Sequence, residues 1–201
     1  MMIKICGITR REDALAAVDA GASAIGFIFY PKSPRYVTPG KAAGLGDGLS
    51  VLKVGVFVNE SPATVKDVMR AAKLDVVQIY SGQPPKGSRV WRAFRVPLES
   101  LDIVESVMAL EGSGVSLGAD AILLDGPGNG ASFDWELARG AAPKTIIAGG
   151  LDASNVGRAI RAAEPWGVDA SSRLESSPGI KDHEKVLEFI RAAQAAVKGD
   201  A

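Results

Sequence analysis

One thiol and one imidazole occur among the 201 residues, Cys6 and His183. That pair leaves no intramolecular disulfide, no Cys/His zinc site and no Ser-His-Asp triad that dispenses with His183. His183 stands among Lys181, Asp182, Glu184 and Lys185, a solvated pattern, and no catalytic role is expected of it. Cys6 follows Lys4 by two positions. On a strand such residues share a face, so an ammonium near Cys6 favours a thiolate, from an ordinary pKa of roughly 8.5. The other reading of Cys6 is a small buried hydrophobe, the common situation of a free cysteine. Asp125 closes the apolar run Ala-Ile-Leu-Leu and is either a functional carboxyl or the residue that turns the chain out of a strand. The stretch from Gly126 to Ser132 holds three glycines and a proline, suited to close backbone approach to a ligand or to plain connection.

An anion site is the third kind of chemistry on offer. Gly149-Gly150 precedes Asp152, Ser154 and Asn155, and Ser171-Ser172-Arg173 comes later in the chain. Glycines let backbone N–H groups approach a phosphate and serines add donors, although a Gly-Gly pair also makes a tight turn. Arg173 either adds a charge-assisted bond to phosphate or points to solvent. Arg35, in Ser33-Pro34-Arg35, offers a planar guanidinium to a carboxylate or phosphate, or is a surface loop arginine.

What positions these groups is a rhythm of short apolar runs alternating with segments of helical period. Strands are expected over 3–8, 24–29, 51–58, 76–80, 90–96, 121–125, 145–148 and 168–171. Helices are expected over 10–21, weakly over 38–49, then 62–73, 100–110, 133–139, 154–163 and 181–197. Thr9 is a candidate N-cap and Gly21 a stop; Ser61-Pro62 supplies a cap with proline at the first helical position. Two prolines and two glycines between Ser81 and Ser88 argue against a helix after the fourth strand. Strand-helix alternation implies parallel pairing with right-handed crossovers. Eight such units favour a closed α/β barrel, a (β/α)8 TIM barrel with a shortened or missing helix after strand 4, forming one domain over 1–201. An open doubly wound sheet is the runner-up, but its phosphate turn carries more glycine than Cys6-Gly7-Ile8-Thr9.

In a closed barrel all strand C-termini face one mouth. Cys6, Asn59, Tyr80, Asp125, Gly149-Gly150 and Ser171-Ser172 then converge there. Asp169 shares a face with Ser171 on a strand neighbouring the first, so a Lys4–Asp169 ion pair is expected beneath the site.

Composition narrows the partners. Lys+Arg and Asp+Glu both number 23, scattered along the chain, which disfavours nucleic acid. Apolar stretches fall far short of a membrane span, and the start of the sequence lacks a secretory pattern, so a cytoplasmic location is expected.

These motifs, taken in order, resemble the phosphoribosylanthranilate isomerase family over nearly the whole chain. They are Lys-Ile-Cys-Gly-Ile-Thr at 4–9, Gly-Phe-Ile-Phe at 26–29 with Ser-Pro-Arg at 33–35, Val-Gly-Val-Phe-Val-Asn at 54–59 and Val-Gln-Ile-Tyr at 77–80. Leu-Leu-Asp at 123–125, Gly-Asn-Gly-Ala-Ser-Phe-Asp-Trp at 128–135, Ala-Gly-Gly-Leu at 148–151 with Asn155-Val156, and Gly-Val-Asp-Ala-Ser-Ser at 167–172 with Glu175 and Gly179-Ile180-Lys181-Asp182 complete the set. The resemblance implies a cofactor-independent Amadori rearrangement of a small phosphosugar in tryptophan biosynthesis, without metal, nucleic acid or membrane, by a monomer or homodimer. It implies Cys6 as general base with a lowered thiol pKa and Asp125 as general acid with a raised one. Arg35 would hold the anthranilate carboxylate, with Gly149, Gly150, Ser171 and Ser172 around the phosphate. The family usually has His-Gly where this chain has Tyr80-Ser81, and commonly Gly at Arg173. Two other readings compete: a barrel that closes indole-glycerol phosphate, which needs catalytic Lys and Glu at strand ends that are not found here, and a non-catalytic phosphosugar-binding barrel.

Overall fold

The computed structural model describes residues 1–96, 107, 118–128 and 131–198. Eight parallel strands close into a barrel, each paired with the next and the eighth paired back to the first. In chain order they are β1 (Met2–Ile5), β2 (Ala24–Ile28), β3 (Leu52–Phe57), β4 (Val76–Ile79), β5 (Val90–Arg95), β6 (Ala121–Asp125), β7 (Thr145–Ala148) and β8 (Gly167–Ala170). Around them lie α1 (Arg11–Ala20), α2 (Pro39–Gly46), α3 (Pro62–Ala72), α4 (Val156–Ala163) and α5 (His183–Lys198). Segment 80–89 joins β4 to β5 through bends and a turn, without a helix. The helix expected over 100–110 lies, but for Val107, outside the described residues. No helix among the described residues is long and apolar enough to cross a membrane.

Local chemistry sets the helix limits. The Ser61 hydroxyl accepts from the Thr64 N–H at 3.2 Å with Pro62 next to it, and Thr38 caps α2 in the same way at 3.3 Å. Gly21, at φ 105°, turns its N–H back to the carbonyls of Ala17 and Val18 and ends α1. The start of α1 differs from expectation. Arg10 occupies the cap position without a side-chain cap bond, while the Thr9 hydroxyl donates to the Gly179 carbonyl instead. The orphan N–H groups of this helix have an acidic neighbour in Asp13, buried in the first turn. Asp13 accepts from Arg10 Nη2 at 2.7 Å and from the Lys181 N–H at 3.1 Å, and contacts His183 Nε2 at 2.9 Å. His183 is therefore a tie between the starts of α1 and α5 rather than a purely solvated residue.

Alternation along the strands divides the core in two. Met2, Val54, Val76, Trp91, Leu123 and Ile146 form an inner cluster, with Trp166 edge-on to Trp91 at 6.0 Å. Outward, Ile5, Ile25, Phe27, Phe57, Leu124 and Ile147 pack with Ala14, Ala17, Val65, Val186 and Phe189 of the helices. Burying each large apolar side chain contributes about 1.5–3 kcal/mol. The inner cluster floors the barrel and leaves its C-terminal end for polar groups.

Three boundaries depart from the sequence reading for visible reasons. β1 stops at Ile5 because Gly7, at φ 76°, breaks the extended run, and the N–H groups of Gly7 and Ile8 both donate to the Gly26 carbonyl at 3.0 Å. The helix expected over 133–139 is a single 3₁₀ turn, Trp135–Ala138, capped by the Asp134 carboxylate and followed by Gly140 at φ 68°. A small antiparallel pair, β9 (Glu175–Ser177) with β10 (Ile180–Lys181), follows β8. Its short polar strands have no apolar alternation to announce them.

Candidate active site

The C-terminal ends of the strands enclose a cavity of about 250 Å³ whose wall includes Cys6, Arg35, Tyr80, Asp125, Gly149, Gly150, Ser171, Ser172 and Arg173. These nine residues, all singled out from the sequence, thus meet at one mouth, whereas Asn59, expected there too, is not among the residues that line it. Beneath them Lys4 and Asp169 stand opposite each other in the β1–β8 register, and Lys4 Nζ donates to Asp169 Oδ2 at 2.8 Å. Cys6 follows one pleat above, its N–H donating to the Ala170 carbonyl at 2.9 Å. Gly26 on the neighbouring strand makes room for both side chains: a Cβ there would fall 2.7 Å from Cys6 Sγ and 3.0 Å from Lys4 Cε.

Electrostatics at Cys6 reverse one expectation. Burial is the dominant influence and pushes the thiol above its ordinary range; Lys4 pulls it down, and the Asp169 carboxylate pushes it up again. Desolvation opposes the Lys4 charge, but Asp169 and Cys6 together hold it protonated. An ammonium whose charge is paired with Asp169 does not outweigh full burial, so the free enzyme carries a thiol where a lowered, thiolate-favouring pKa was expected.

Asp125 ends β6 as expected. Burial pushes its carboxyl up, opposed by the Tyr80 hydrogen bond and by the charges of Arg95 and Lys4. The Tyr80 hydroxyl donates to Asp125 Oδ2 at 2.8 Å. Arg95 Nη2 lies 3.7 Å from the same oxygen, and its guanidinium sits 5.8 Å from the Tyr80 ring centroid. Tyr80 itself is pushed well above 10.0, by burial first and then by the neighbouring carboxylate, so it is a phenol and a donor throughout the neutral range.

Arg35 reaches the mouth from the loop after β2. Its Nε and Nη2 donate to the two oxygens of Glu175 at 2.8 and 2.7 Å, and Glu175 also accepts from Lys181 Nζ at 2.9 Å. Planar two-point pairing of this kind fixes the guanidinium and leaves Nη1 outside the fork. Gly149 and Gly150 have φ of 90° and 65°, and a Cβ on Gly149 would collide with the backbone of Gly126. The loops after β6 and β7 can therefore touch only through glycine. Ser171 Oγ donates to the Cys6 carbonyl at 3.0 Å, which ties the two strand ends together, while Ser172 opens a 3₁₀ turn, Ser172–Leu174. Arg173 Nη1 donates to Asp152 Oδ2 at 3.1 Å at the rim.

Comparison with known proteins separates this barrel from the many others that share its architecture. The family model for N-(5'phosphoribosyl)anthranilate (PRA) isomerase matches residues 3–192. The chain belongs to the PRA isomerase family. The N-(5'-phosphoribosyl)anthranilate isomerase of Solibacter usitatus is 48% identical, over 98% of this chain and 99% of its own; that of Trichlorobacter lovleyi is 45% identical, over 97% and 98%. The phosphoribosyl anthranilate isomerase crystal structure from Thermotoga maritima superposes with a TM-score of 0.85 at 37% identity, over 97% of this chain and 99% of that one. A further structure of the enzyme, in complex with reduced 1-(o-carboxyphenylamino)-1-deoxyribulose 5-phosphate, superposes with a TM-score of 0.83 at 37% identity, over the same shares.

Against this PRA isomerase frame, sequence reading missed three residues of the mouth. Gln78 and Arg95 line the cavity, and Glu175 anchors Arg35. Among the described residues, the buried Gln78 Oε1 and Asp169 Oδ1 find no hydrogen-bond partner, so two acceptors at the cavity wall have no donor from that part of the protein. A polar residue inside the apolar run Val-Val-Gln-Ile was the available signal for Gln78, and a basic residue at a strand's C-terminal end was the signal for Arg95. Glu175 lay among the family motifs, but nothing in its spacing connected it to Arg35.

Proposed function

We propose that the chain catalyses the Amadori rearrangement of N-(5-phosphoribosyl)anthranilate to 1-(2-carboxyphenylamino)-1-deoxyribulose 5-phosphate in tryptophan biosynthesis, with Cys6 as general base and Asp125 as general acid. The observation that carries the role assignment is their shared cavity, with an acid whose pKa is raised and a thiol beside an ammonium. Asp125 donates a proton to the furanose ring oxygen, the C1–O bond breaks, and the anilino nitrogen supplies the electron pair of the C1–N iminium. The iminium acidifies C2–H, which Cys6 thiolate removes to give the enolamine. Proton return to C1 and loss of the C2 hydroxyl proton complete the ketone. No atom is gained or lost, and proton transfer alone suffices, so the reaction needs neither metal nor cofactor.

The raised thiol has a mechanistic consequence. In the resting pair the proton resides on Cys6 and Asp125 is ionised, whereas the productive arrangement has the proton on Asp125 and the charge on sulfur. Lys4, two residues below the thiol, is the group that stabilises that thiolate. We assign the anthranilate carboxylate to the guanidinium edge of Arg35 and the phosphate to the N–H groups around Gly149, Gly150, Ser171 and Ser172, with Arg173 at the rim. The same reading treats 1–201 as one cytoplasmic domain, working as a monomer or homodimer on a small phosphosugar.

Loss of phosphoribosylanthranilate fluorescence tests the assignment. Cys6→Ala and Asp125→Asn should each lower kcat/KM by about 10²- to 10⁴-fold, the worth of one positioned acid or base. Undiminished rates in both would overturn it.

A further inference from the structure

We propose that Tyr80 is the positioning residue for the acid, engaging Oδ2 of the Asp125 carboxyl so that its proton is carried on the other oxygen, Oδ1, in the cavity that Asp125 lines. The inference rests on the assignment of Asp125 as general acid and adds the group that determines which of its oxygens does the work. The Tyr80 hydroxyl donates to Asp125 Oδ2 at 2.8 Å. Arg95 approaches that same oxygen at 3.7 Å. An oxygen that accepts from a phenol and faces a guanidinium retains the carboxyl's negative character, so a proton added to this group settles on the other oxygen. A free carboxyl has no such preference and presents its proton from either oxygen. In the positioned one, the ordering is already made before the substrate arrives, which is the condition under which a donor acts at least cost in reorganisation.

The surroundings support a positioning role over simple packing. Tyr80 follows β4, Asp125 ends β6 and Arg95 ends β5, so the hydroxyl reaches across the end of one strand to the next but one. Arg95 also lies against the Tyr80 ring at 5.8 Å, which holds the phenol from its face. Besides Tyr80 and Arg95, the charged and titratable groups facing this carboxyl are Lys4 and Asp169 in the layer beneath, with Cys6 beside the phenol. Among these, the phenol makes the short hydrogen bond, and the backbone N–H of Gly126 is the other donor that favours the carboxylate.

The experiment compares Tyr80→Phe, Tyr80→His and Asp125→Asn by steady-state kinetics over pH. Tyr80→Phe should lower kcat by roughly 10- to 100-fold, the worth of one hydrogen bond to a charged group, with KM little changed. The limb of the profile that reports Asp125 should move to higher pH, because the lost donor had favoured the carboxylate. Tyr80→His, which restores an N–H donor, should recover most of the loss. A carboxyl ¹³C titration of the ligand-free protein, with the Asp125 resonance assigned from Asp125→Asn, should show the same upward shift in Tyr80→Phe. An inactive Asp125→Asn together with a Tyr80→Phe variant of parental kcat and unshifted Asp125 titration would overturn the positioning role alone. A fully active Asp125→Asn would instead remove the acid assignment beneath it.

Discussion

Lys4 Nζ and Asp169 Oδ2 meet at 2.8 Å inside the barrel, one residue pair below the thiol of Cys6. Breaking a buried pair by removing one partner usually destabilises strongly, by about 3–5 kcal/mol, and here the two partners act on Cys6 in opposite senses. Lys4 lowers the thiol and Asp169 raises it. Asp169→Asn keeps a hydrogen-bond acceptor for Lys4 while removing the negative charge, so the thiol should ionise at lower pH. Iodoacetamide alkylation of Cys6, followed by mass over a pH series, should shift its midpoint downward in Asp169→Asn. Lys4→Met should move it upward, with a fall in thermal stability. A midpoint unchanged in both would show that burial alone governs the thiol.

Raised values at both Cys6 and Asp125 predict the shape of the pH profile. The productive form has Asp125 protonated and Cys6 ionised, the reverse of the resting distribution, and its population rises with pH until the Asp125 midpoint. Between the two midpoints it is constant, because each gain of thiolate is matched by a loss of acid. Above the Cys6 midpoint it falls, since the thiolate is complete and the acid continues to disappear. kcat/KM should therefore follow a broad bell whose ascending limb belongs to Asp125 and whose descending limb belongs to Cys6. A descending limb that falls at the ordinary carboxylate range would contradict the assignment.

How much of this could be read from residues alone depended on how local the cause was. β6 and β7 begin and end where the sequence places them, Ala121–Asp125 and Thr145–Ala148, because parallel strands covered on both faces read as short, nearly continuous apolar runs. The Lys4–Asp169 pair followed from period-two alternation and the closure of eight strands. The end of β1 did not, since the positive φ of Gly7 answers to Gly26 and to the Arg35 side chain packed where a Cβ would stand. Tyr80–Asp125 and Arg35–Glu175 span 45 and 140 residues and join strand ends and loops whose side-chain directions no periodicity specifies. The direction of the thiol's pKa is hidden from the sequence for a related reason: Lys4 two residues away is visible there, while complete burial is a property of the assembled barrel.

The same raised carboxyl carries a stability consequence. For a group whose folded pKa lies above its unfolded value, the stabilising contribution is full below the unfolded value and is lost as pH rises through the folded one. Once pH has risen through the folded value, the ionised, buried side chain of Asp125 weakens the fold. Asp125→Asn removes the charge and keeps an oxygen to accept from Tyr80. Its melting temperature at pH 7 should exceed the parent's, and the gain should vanish as pH falls to the ordinary carboxylate range. An equal or lower Tm at pH 7 would count against a strained carboxylate.

Glu175 holds Arg35 by two hydrogen bonds and is itself held by Lys181. If the guanidinium edge receives the anthranilate carboxylate, it does so in ground state and transition state alike, because that carboxylate takes no part in the bond changes. Loosening it should raise KM with little change in kcat, the signature of uniform binding. Glu175→Gln preserves the shape and one acceptor but loses the charge that pairs both cations, and KM should rise by about 10-fold, the worth of a weakened charge-assisted bond. Arg35→Lys should do at least as much, since a point charge cannot engage Glu175 and a substrate carboxylate through two planar edges. A fall in kcat at unchanged KM in both variants would instead place Arg35 in the transition state, against the charge developing at the opening ring.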